Sequence, residues 1–367
     1  MTAHRIVILG AGYAGLSAAK EAAKAQGAQV TVIDARTEFL SRVRLHQVIA
    51  GQPVERIDLR NALEPKGIHF VNAYATRIDP DARRIELTAA ANAGATPDCI
   101  EYDTLIYALG SRGDRTAVPG AAEFAHAVAT PEDLPAMPAL AGRVAVVGGG
   151  PTGIETAAEL AESRPDLDVI LVSSNEPGSW LTAKACNHIR VTLQRLGVQV
   201  HADVKVAEVT AAGLELVGGE HIPADIVLWT AGFAVPDVAA RSGLPVDAHG
   251  RLLVGPDLRV LDRENIYAVG DAAAMHGPDG RELRMACATA MPAGAYLGKA
   301  VATRLRGKTP APHKGWYILQ CISLGRRDAV IQHVHADDSM ARLVLTGRPA
   351  VFVKEQIVRG VGRVAKL

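Results

Sequence analysis

Short, uninterrupted runs of hydrophobic residues, each followed closely by glycines or an acid, dominate the chain. The run at 5–9 (RIVIL) predicts a buried strand, and the run at 29–33 (QVTVI) predicts a second one. Between them, residues 16–25 have the apolar spacing of a helix. This order of strand, helix and strand predicts a parallel β-α-β unit at the start of the chain.

The turn that joins the first strand to the first helix is rich in glycine. Residues 10–15 (GAGYAG) follow the pattern G-x-G-x-x-G, and the second strand ends on Asp34. In this context the first glycine permits a tight turn, the second lets backbone N–H groups approach a pyrophosphate, and the third lets helix and strand pack closely. The positive end of the helix dipole faces the anion, and Asp34 can accept a hydrogen bond from a ribose 2′-OH. The turn therefore predicts a dinucleotide site rather than a purely structural turn.

The pattern repeats in the second half of the chain. A strand-like run at 143–147 (RVAVV) leads into a second glycine-rich turn at 148–153 (GGGPTG), and a helical run at 154–163 follows. Further along each half, similar strand-like segments end at Gly110 and at Gly232. The sequence therefore predicts two nucleotide-binding units in one chain.

The two units differ at the end of their second strand, where Ser173 takes the position of Asp34. A carboxylate there favours NAD and repels a 2′-phosphate, whereas a hydroxyl leaves NADH and NADPH open. Sites for NADP usually supply a nearby arginine, and none follows Ser174 before Arg190. This spacing favours NADH.

A third motif lies beyond the two units. Residues 265–273 (NIYAVGDAA) predict a strand that delivers Asp271 to its carboxyl end, where open α/β sheets bind ligands. An apolar, helix-like run at 286–305 follows and is interrupted early by Pro292.

Beyond residue 308 the pattern changes to strand-like segments at 317–323, 329–333 and 340–345. The tail at 352–366 is mildly amphipathic and carries several cations, Lys354 among them. Because it is short and contains two glycines, a packed or dimer-forming helix is favoured over one that lies on a membrane surface.

Composition narrows the class of protein. Lys+Arg and Asp+Glu both number 39, so no overall charge points to nucleic acid or to an anionic membrane. No signal peptide or apolar run of membrane-spanning length is recognisable, which predicts a cytoplasmic protein. The four cysteines are far apart, which argues against a redox disulfide between neighbours, structural zinc and iron–sulfur centres.

With both glycine-rich turns and the Gly270-Asp271 strand, residues 4 to 305 resemble the flavoprotein oxidoreductases with two dinucleotide domains, the glutathione-reductase structural class. Within it, the chain is most similar to the branch of type II NADH dehydrogenase and apoptosis-inducing factor. The resemblance implies that 10–15 and Asp34 hold the ADP half of tightly bound FAD. It also implies that Asp271 contacts the flavin's ribityl chain and that 148–153 receives NADH or NADPH.

The family's motif G-G-G-P-T-G-x-E stands here at 148–155. The resemblance implies that Glu155 lies near the contact of nicotinamide and flavin, which makes it the candidate catalytic residue. The candidate cofactor-binding residues are Gly10, Gly12, Ala14, Gly15, Asp34, Ala35, Arg36, Arg44, Ala108, Gly110, Gly148, Gly150, Pro151, Thr152, Gly153, Ser173, Gly232, Gly270 and Asp271.

The expected fold class is α/β, with two Rossmann-like dinucleotide-binding domains and a small C-terminal α+β domain. The FAD-binding domain is expected to be discontinuous, at 1–113 and 240–307. The NAD(P)H-binding domain is expected at 114–239, inserted into the FAD domain, and an interface domain at 308–367.

The resemblance implies an FAD-dependent NAD(P)H oxidoreductase, and three departures bear on its acceptor. The disulfide-reducing members carry a close cysteine pair where this chain has 42–47, so electrons are expected to pass directly to a quinone or another small molecule. The type II enzymes carry glutamines associated with quinone where this chain has 288–296 without one, which argues against quinone. The C-terminal part lacks a strongly apolar helix pair, so at most peripheral membrane contact is expected.

Three alternatives stay open: a reductase for a protein acceptor such as a ferredoxin, an enzyme that tailors a specialised metabolite, and a non-catalytic FAD/NAD scaffold or sensor. A homodimer is also open. Neither nucleic acid nor a metal is expected as a partner.

Overall fold

The computed structural model describes residues 3–91 and 93–366, and within them it contains 24 strands and nine helices. Residues 1, 2, 92 and 367, which fall inside the predicted domain ranges, lie outside the described residues. The strands are β1 His4–Leu9, β2 Ala28–Asp34, β3 Glu38–Leu40, β4 Arg56–Asp58, β5 Ile68–Asp79, β6 Arg84–Ala89, β7 Cys99–Glu101, β8 Thr104–Tyr107, β9 Arg112–Gly113, β10 Ala125–Ala127, β11 Arg143–Val147, β12 Asp168–Val172, β13 Gln199–His201, β14 Val206–Thr210, β15 Gly213–Leu216, β16 His221–Pro223, β17 Ile226–Trp229, β18 Phe233–Ala234, β19 Leu252–Leu253, β20 Ile266–Ala268, β21 Ala273–Ala274, β22 Leu319–Ser323, β23 Ala329–Val334 and β24 Met340–Thr346. The helices are α1 Tyr13–Ala22, α2 Leu45–Ile49, α3 Leu59–Leu63, α4 Ala121–Phe124, α5 Pro151–Ser163, α6 Ala183–Arg195, α7 Val238–Arg241, α8 Cys287–Leu305 and α9 Gly347–Gly362.

The first large sheet has seven strands in the order β20-β8-β1-β2-β5-β6-β7. The pairs from β20 to β5 are parallel, and β6 and β7 extend the sheet in antiparallel fashion. The last four residues of β1 and all four of β8 are buried, as is typical of parallel strands covered on both faces of the sheet. The predicted β-α-β unit is confirmed as β1, α1 and β2.

The second sheet repeats this arrangement with five parallel strands in the order β10-β17-β11-β12-β13. Its β-α-β unit is β11, α5 and β12. The repeat extends to single side chains. Asp103 accepts a hydrogen bond from the N–H of Arg5 at 2.8 Å, and Asp225 accepts one from the N–H of Arg143 at 2.7 Å. Each aspartate thus joins two neighbouring central strands, β1 to β8 in the first unit and β11 to β17 in the second. The predicted α/β fold with two Rossmann-like units is confirmed.

Helices α1 and α8 lie in direct backbone contact. A Cβ at Gly294 would overlap the carbonyl oxygen of Ala14, and a Cβ at Gly298 would overlap that of Ala18. Helix α8 runs without a break through Pro292, although the sequence pattern predicted an interruption there. Proline removes one N–H donor and crowds the carbonyl four residues earlier, which here is that of Ala288 in the first turn, so the rest of the helical ladder still forms.

The C-terminal part is a three-stranded antiparallel sheet, β22-β23-β24, covered by α9. The strand-like segments predicted beyond residue 308 correspond to these strands. The amphipathic tail at 352–366 forms the second part of α9 and the short 3₁₀ turn at Arg363–Ala365. Among the described residues, no helix has both the length and the apolar composition needed to cross a bilayer.

Asp328, in the turn between β22 and β23, anchors this part to the second unit. Its carboxylate is buried and pairs with His188 and Arg195 of α6, each at 2.8 Å. The backbone N–H of Gly347, at the start of α9, donates to the same carboxylate at 3.0 Å. One side chain therefore ties α6, the turn and α9 together.

The contact of α1 with α8 predicts unequal effects of alanine at two glycines. Gly294→Ala should lower the free energy of unfolding by about 1–3 kcal/mol, because the new methyl group overlaps the backbone of α1. Gly360→Ala, within α9 where a Cβ meets open space, should instead raise it by up to about 1 kcal/mol. Guanidinium unfolding of both variants checks this, and a Gly294→Ala protein as stable as wild type would contradict the packing.

Candidate active site

The first glycine-rich turn separates glycines that the fold requires from one that it does not. Gly10 has a φ of +99°, and a Cβ there would overlap the carbonyl oxygen of Ala108. A Cβ at Gly15 would overlap the carbonyl oxygen of Gly10. Gly12 differs, since apart from its two chain neighbours no heavy atom of the described residues lies within 4 Å of a Cβ built on it. The turn thus leaves open space at the N-terminus of α1, which is where a pyrophosphate binds in such units.

Asp34 closes this site at the end of β2. Its Oδ2 accepts a hydrogen bond from the N–H of Ala11 at 2.6 Å, and Arg36 donates to both carboxylate oxygens at 2.9–3.0 Å. Burial alone would raise the pKa of Asp34, but the charge and hydrogen bonds of Arg36 and the N–H of Ala11 lower it overall. The carboxylate is therefore ionised. Ala35 contributes its carbonyl oxygen, which accepts a hydrogen bond from Asn72 at 2.9 Å.

The second turn has the same division. Gly148 has a φ of +122°, and a Cβ there would lie 2.6 Å from Thr230 Oγ1. A Cβ at Gly153 would overlap the carbonyl oxygen of Gly148, whereas one at Gly150 meets nothing within 4 Å. Helix α5 begins at Pro151 and continues through Thr152. Proline is tolerated at the first helical position because an N–H there would have no partner within the helix. The second unit therefore offers the same open N-terminus.

Ser173 has a structural role at the end of β12. Its buried hydroxyl donates to the carbonyl oxygen of Asn175 at 2.6 Å, and a Cβ at Gly149 would overlap this hydroxyl. The middle glycine of the triplet is thus required by Ser173, a pairing that spacing alone does not reveal. The neighbouring Ser174 is exposed.

The third motif meets the first turn at one edge of the large sheet. Gly270 has a φ of +79°, and a Cβ there would lie 3.2 Å from the Cβ of Ala14. Asp271 accepts a hydrogen bond from the hydroxyl of Ser111 at 2.6 Å, and Arg42 lies 3.7 Å from the same carboxylate oxygen. The sequence had not singled out Ser111 or Arg42, because both reach Asp271 only through the fold.

Two other candidates have backbone roles at or near the ends of parallel strands. Gly110 follows β8 with a φ of +67°, and Gly232 follows β17 with a φ of +78°.

Arg44, a further candidate, contacts the C-terminal part instead of a nucleotide-binding turn. Its guanidinium donates to Glu355 of α9 at 2.8 Å and so contacts the C-terminal helix.

Glu155, the candidate catalytic residue, lies in a buried group of charges. The ammonium of Lys354 from α9 donates to its Oε1, as does the N–H of Ser323 at 3.0 Å. His46 lies 3.9 Å from Oε2. Burial alone would raise the pKa of Glu155, but the charge of Lys354 reverses this and lowers it. The carboxylate is therefore held ionised by a cation from the far end of the chain.

The charged group extends along α5. Glu159 is fully buried, lies 3.8 Å from His46 Nε2 and pairs with Arg326 at 2.8 Å. Burial lowers the pKa of His46 to about 4, although Glu155 opposes this. His46 is thus neutral at neutral pH and separates two carboxylates without adding charge.

Cys287 is the first residue of α8. Burial raises the pKa of its thiol to about 11, and the charges of Lys354, Glu155 and Asp271 have smaller effects on the same pKa. The thiol is therefore protonated at neutral pH. All four cysteines are free thiols.

Comparison with known proteins decides the family. Pyridine nucleotide-disulphide oxidoreductases match residues 4–294 of the chain. The chain belongs to this family. It is an oxidoreductase whose cofactors are FAD and NADH or NADPH.

Relatives of this pyridine nucleotide-disulphide oxidoreductase span nearly its whole length. An NADH dehydrogenase-like protein of Mycobacterium tuberculosis is 31% identical over 96% of this chain and 92% of its own. The demethylphylloquinone reductase NdbB of Synechocystis is 26% identical over 89% of this chain and 86% of its own. The solved structure of NDH2 from Plasmodium falciparum in complex with NADH has a TM-score of 0.81 at 15% identity, covering 99% of this chain and 97% of that one, and shows the shared fold.

This oxidoreductase also has a large apolar cleft beside α8. The cleft has a volume of about 590 Å³ and lies between one face of α8 and the segment 309–316. It begins at Ala288, next to Cys287, and follows the helix through Pro292 and Tyr296 to Thr303. Helix α8 therefore has the first unit on one side and the cleft on another.

The lowered pKa of His46 predicts how stability depends on pH. Its pKa falls from 6.5 to about 4 on folding, so between these values the unfolded chain binds a proton that the folded chain does not. The free energy of unfolding should therefore decrease as pH falls from 6.5 to 4, by about 3 kcal/mol from this residue.

Replacing the imidazole tests this assignment. His46→Gln should remove that part of the pH dependence, measured by urea unfolding between pH 4 and 7.5. His69→Gln, at an exposed position, controls for the substitution itself. If the free energy of unfolding depends on pH equally in wild type and His46→Gln, another group is responsible for that dependence.

Proposed function

We propose that this chain transfers electrons from NADH or NADPH to FAD and then directly to a small-molecule acceptor of the quinone type, without a redox disulfide. The observation that carries the proposal is the arrangement around α8. The first open turn, Asp271 and the apolar cleft all lie beside α8, and the second open turn begins the helix that carries Glu155. A donor and an acceptor thus have separate places beside one redox cofactor.

In this proposal the first unit holds FAD. Gly12 gives the pyrophosphate access to the N-terminus of α1, Asp34 and Arg36 lie at the adenosine end, and Asp271 lies toward the flavin. The fit rests on the open space at Gly12 and on the buried, ionised carboxylate of Asp34. When bound, FAD accepts hydride from the nicotinamide and releases electrons to the acceptor.

The second unit receives the nicotinamide nucleotide at 148–153, at the N-terminus of the same helix that carries Glu155. Glu155 orients the polar edge of the incoming nucleotide, and Lys354 keeps the carboxylate ionised and fixed. The N–H groups at the start of α8 carry partial positive charge and favour the negative charge that develops on reduction. Cys287 stays protonated at neutral pH and contributes packing.

The acceptor binds in the cleft. Ala288 and Pro292, which line the cleft, lie in the segment 288–296 that lacks the glutamines of the type II enzymes. In this proposal an acceptor ring is therefore held by apolar contact rather than by amide hydrogen bonds. Relatives described as a demethylphylloquinone reductase and a type II NADH:quinone oxidoreductase support a quinone as the acceptor. In this proposal the missing glutamines affect how the ring is held, and the relatives make a quinone the favoured acceptor.

We also propose a cytoplasmic protein that contacts a membrane at most peripherally. Large apolar side chains of the C-terminal part are exposed, among them Trp316, Ile318 and Phe352. Trp316 also lines the cleft, so a lipid-soluble acceptor would enter past this side chain.

The two open glycines provide a matched test of the proposed roles. In Gly12→Ala, the methyl group occupies space meant for FAD, so the folded protein should bind FAD about tenfold or more weakly. In Gly150→Ala, the protein should be yellow with its normal FAD content, but half-maximal flavin reduction should need about tenfold more NADH.

Absorbance spectra and anaerobic stopped-flow reduction measure both effects, and each variant is the control for the other. The proposal fails if the two variants behave alike. It also fails if the wild type is colourless and takes up no added FAD.

The choice of nucleotide is tested at Ser174. NADH should reduce the wild-type flavin faster than NADPH. Ser174→Arg should move the preference toward NADPH by about tenfold, because an arginine hydrogen bond to phosphate is worth about 1.5–3 kcal/mol. Ser174→Gln, which adds length without charge, is the control. Reduction of the wild type tens of times faster by NADPH would contradict the preference.

A further inference from the structure

The cleft beside α8 has a definite chemical composition. Apolar side chains such as Leu283, Pro292 and Trp316 form most of its surface. Its charged side chains are Lys299 on α8 and Lys314 on the opposite wall, and among the described residues no Asp or Glu lines it. The cleft thus combines an apolar interior with positive charge.

The cleft is held open by specific contacts. The hydroxyl of Tyr296 donates to the carbonyl oxygen of Ala311 at 2.7 Å, and the Tyr296 and His313 rings lie 5.1 Å apart. The backbone N–H of His313 donates to the carbonyl oxygen of Pro256 at 2.7 Å. The wall formed by 309–316 is therefore fixed both to α8 and to the first unit.

The two lysines are available to a ligand. Both are exposed, and within the described part of the chain no carboxylate lies within 4 Å of either ammonium. Arg304, five residues after Lys299 on the same helix, is different, because it pairs with Asp257 at 2.6 Å. The two ammonium groups of Lys299 and Lys314 can therefore pair with an acidic group on a molecule in the cleft.

We propose that the cleft selects an acidic quinone, in which an apolar ring system carries a carboxylate, sulfonate or similar anion. The ring lies against the apolar wall toward Ala288, and the anion pairs with Lys299 and Lys314. This inference rests on the proposed function, because it names the class of acceptor for the same cleft. It adds that the acceptor is recognised by its charge as well as by its ring.

The test compares 1,4-naphthoquinone-2-sulfonate with neutral 1,4-naphthoquinone. Isothermal titration of each compound into oxidised, FAD-loaded protein measures binding without turnover. The sulfonate should bind about two- to thirtyfold more tightly, since each exposed ion pair contributes modestly. In 0.5 M NaCl this preference should shrink, because salt screens exposed charges.

Two double variants assign the preference to the cleft. Lys299→Met with Lys314→Met should abolish the preference, so that the sulfonate binds no more tightly than the neutral quinone. Lys24→Met with Lys66→Met removes the same net charge from exposed positions outside the cleft and should keep the preference.

Equal affinities in wild type, a preference that survives the Lys299/Lys314 exchange, or no binding of either quinone would each overturn the inference. The proposed function is judged separately, by reduction of the flavin with NADH and its reoxidation by neutral quinones. A flavin that is never reduced would remove that function while leaving a measured preference for the sulfonate in place.

Discussion

The contact between the backbones of α1 and α8 is the constraint on which the site depends. Helix α1 carries the first glycine-rich turn at its N-terminus, and α8 begins soon after Asp271. Because Gly294 and Gly298 have no side chains, the two helices approach closely, and Gly270 comes within contact distance of Ala14. Two segments far apart in sequence thereby meet at the carboxyl ends of β1, β8 and β20, where the cofactor is proposed to bind.

The second unit shows how the same architecture serves a different purpose. Both turns leave open space at the second glycine of the pattern, Gly12 and Gly150. The first site is closed by Asp34, and the second by a serine that is already hydrogen-bonded to Asn175. A buried, ionised carboxylate suits a cofactor that stays bound. A site with less fixed charge suits a nucleotide that binds and leaves.

Much of this was accessible from the sequence, because local pattern determines it. The β-α-β units, the two turns and the placement of Asp271 follow from hydrophobic runs and glycine spacing over short stretches of chain. Lys354 was visible only as one of several cations in an amphipathic tail. Its role as the counter-ion of Glu155 depends on a contact across 199 positions, which tertiary packing alone establishes.

The same limit applies to Asp328 and to the cleft. Asp328 gains its partners on α6 and α9 from the way the C-terminal sheet packs, and no motif marks it. From the sequence, the missing glutamines argued against a quinone. The cavity lined by the residues in their place is visible only in the folded structure. Shape is a property of elements brought together, so it could not be deduced from one segment.

The position of Lys354 has a consequence for synthesis of the chain. Both glycine-rich turns are synthesised well before Lys354, which follows Glu155 by 199 positions. Until Lys354 has left the ribosome, Glu155 lacks its buried counter-ion, even though the strands and helices around both turns have already been made. The electrostatic environment of Glu155 is thus completed only after both β-α-β units have been synthesised.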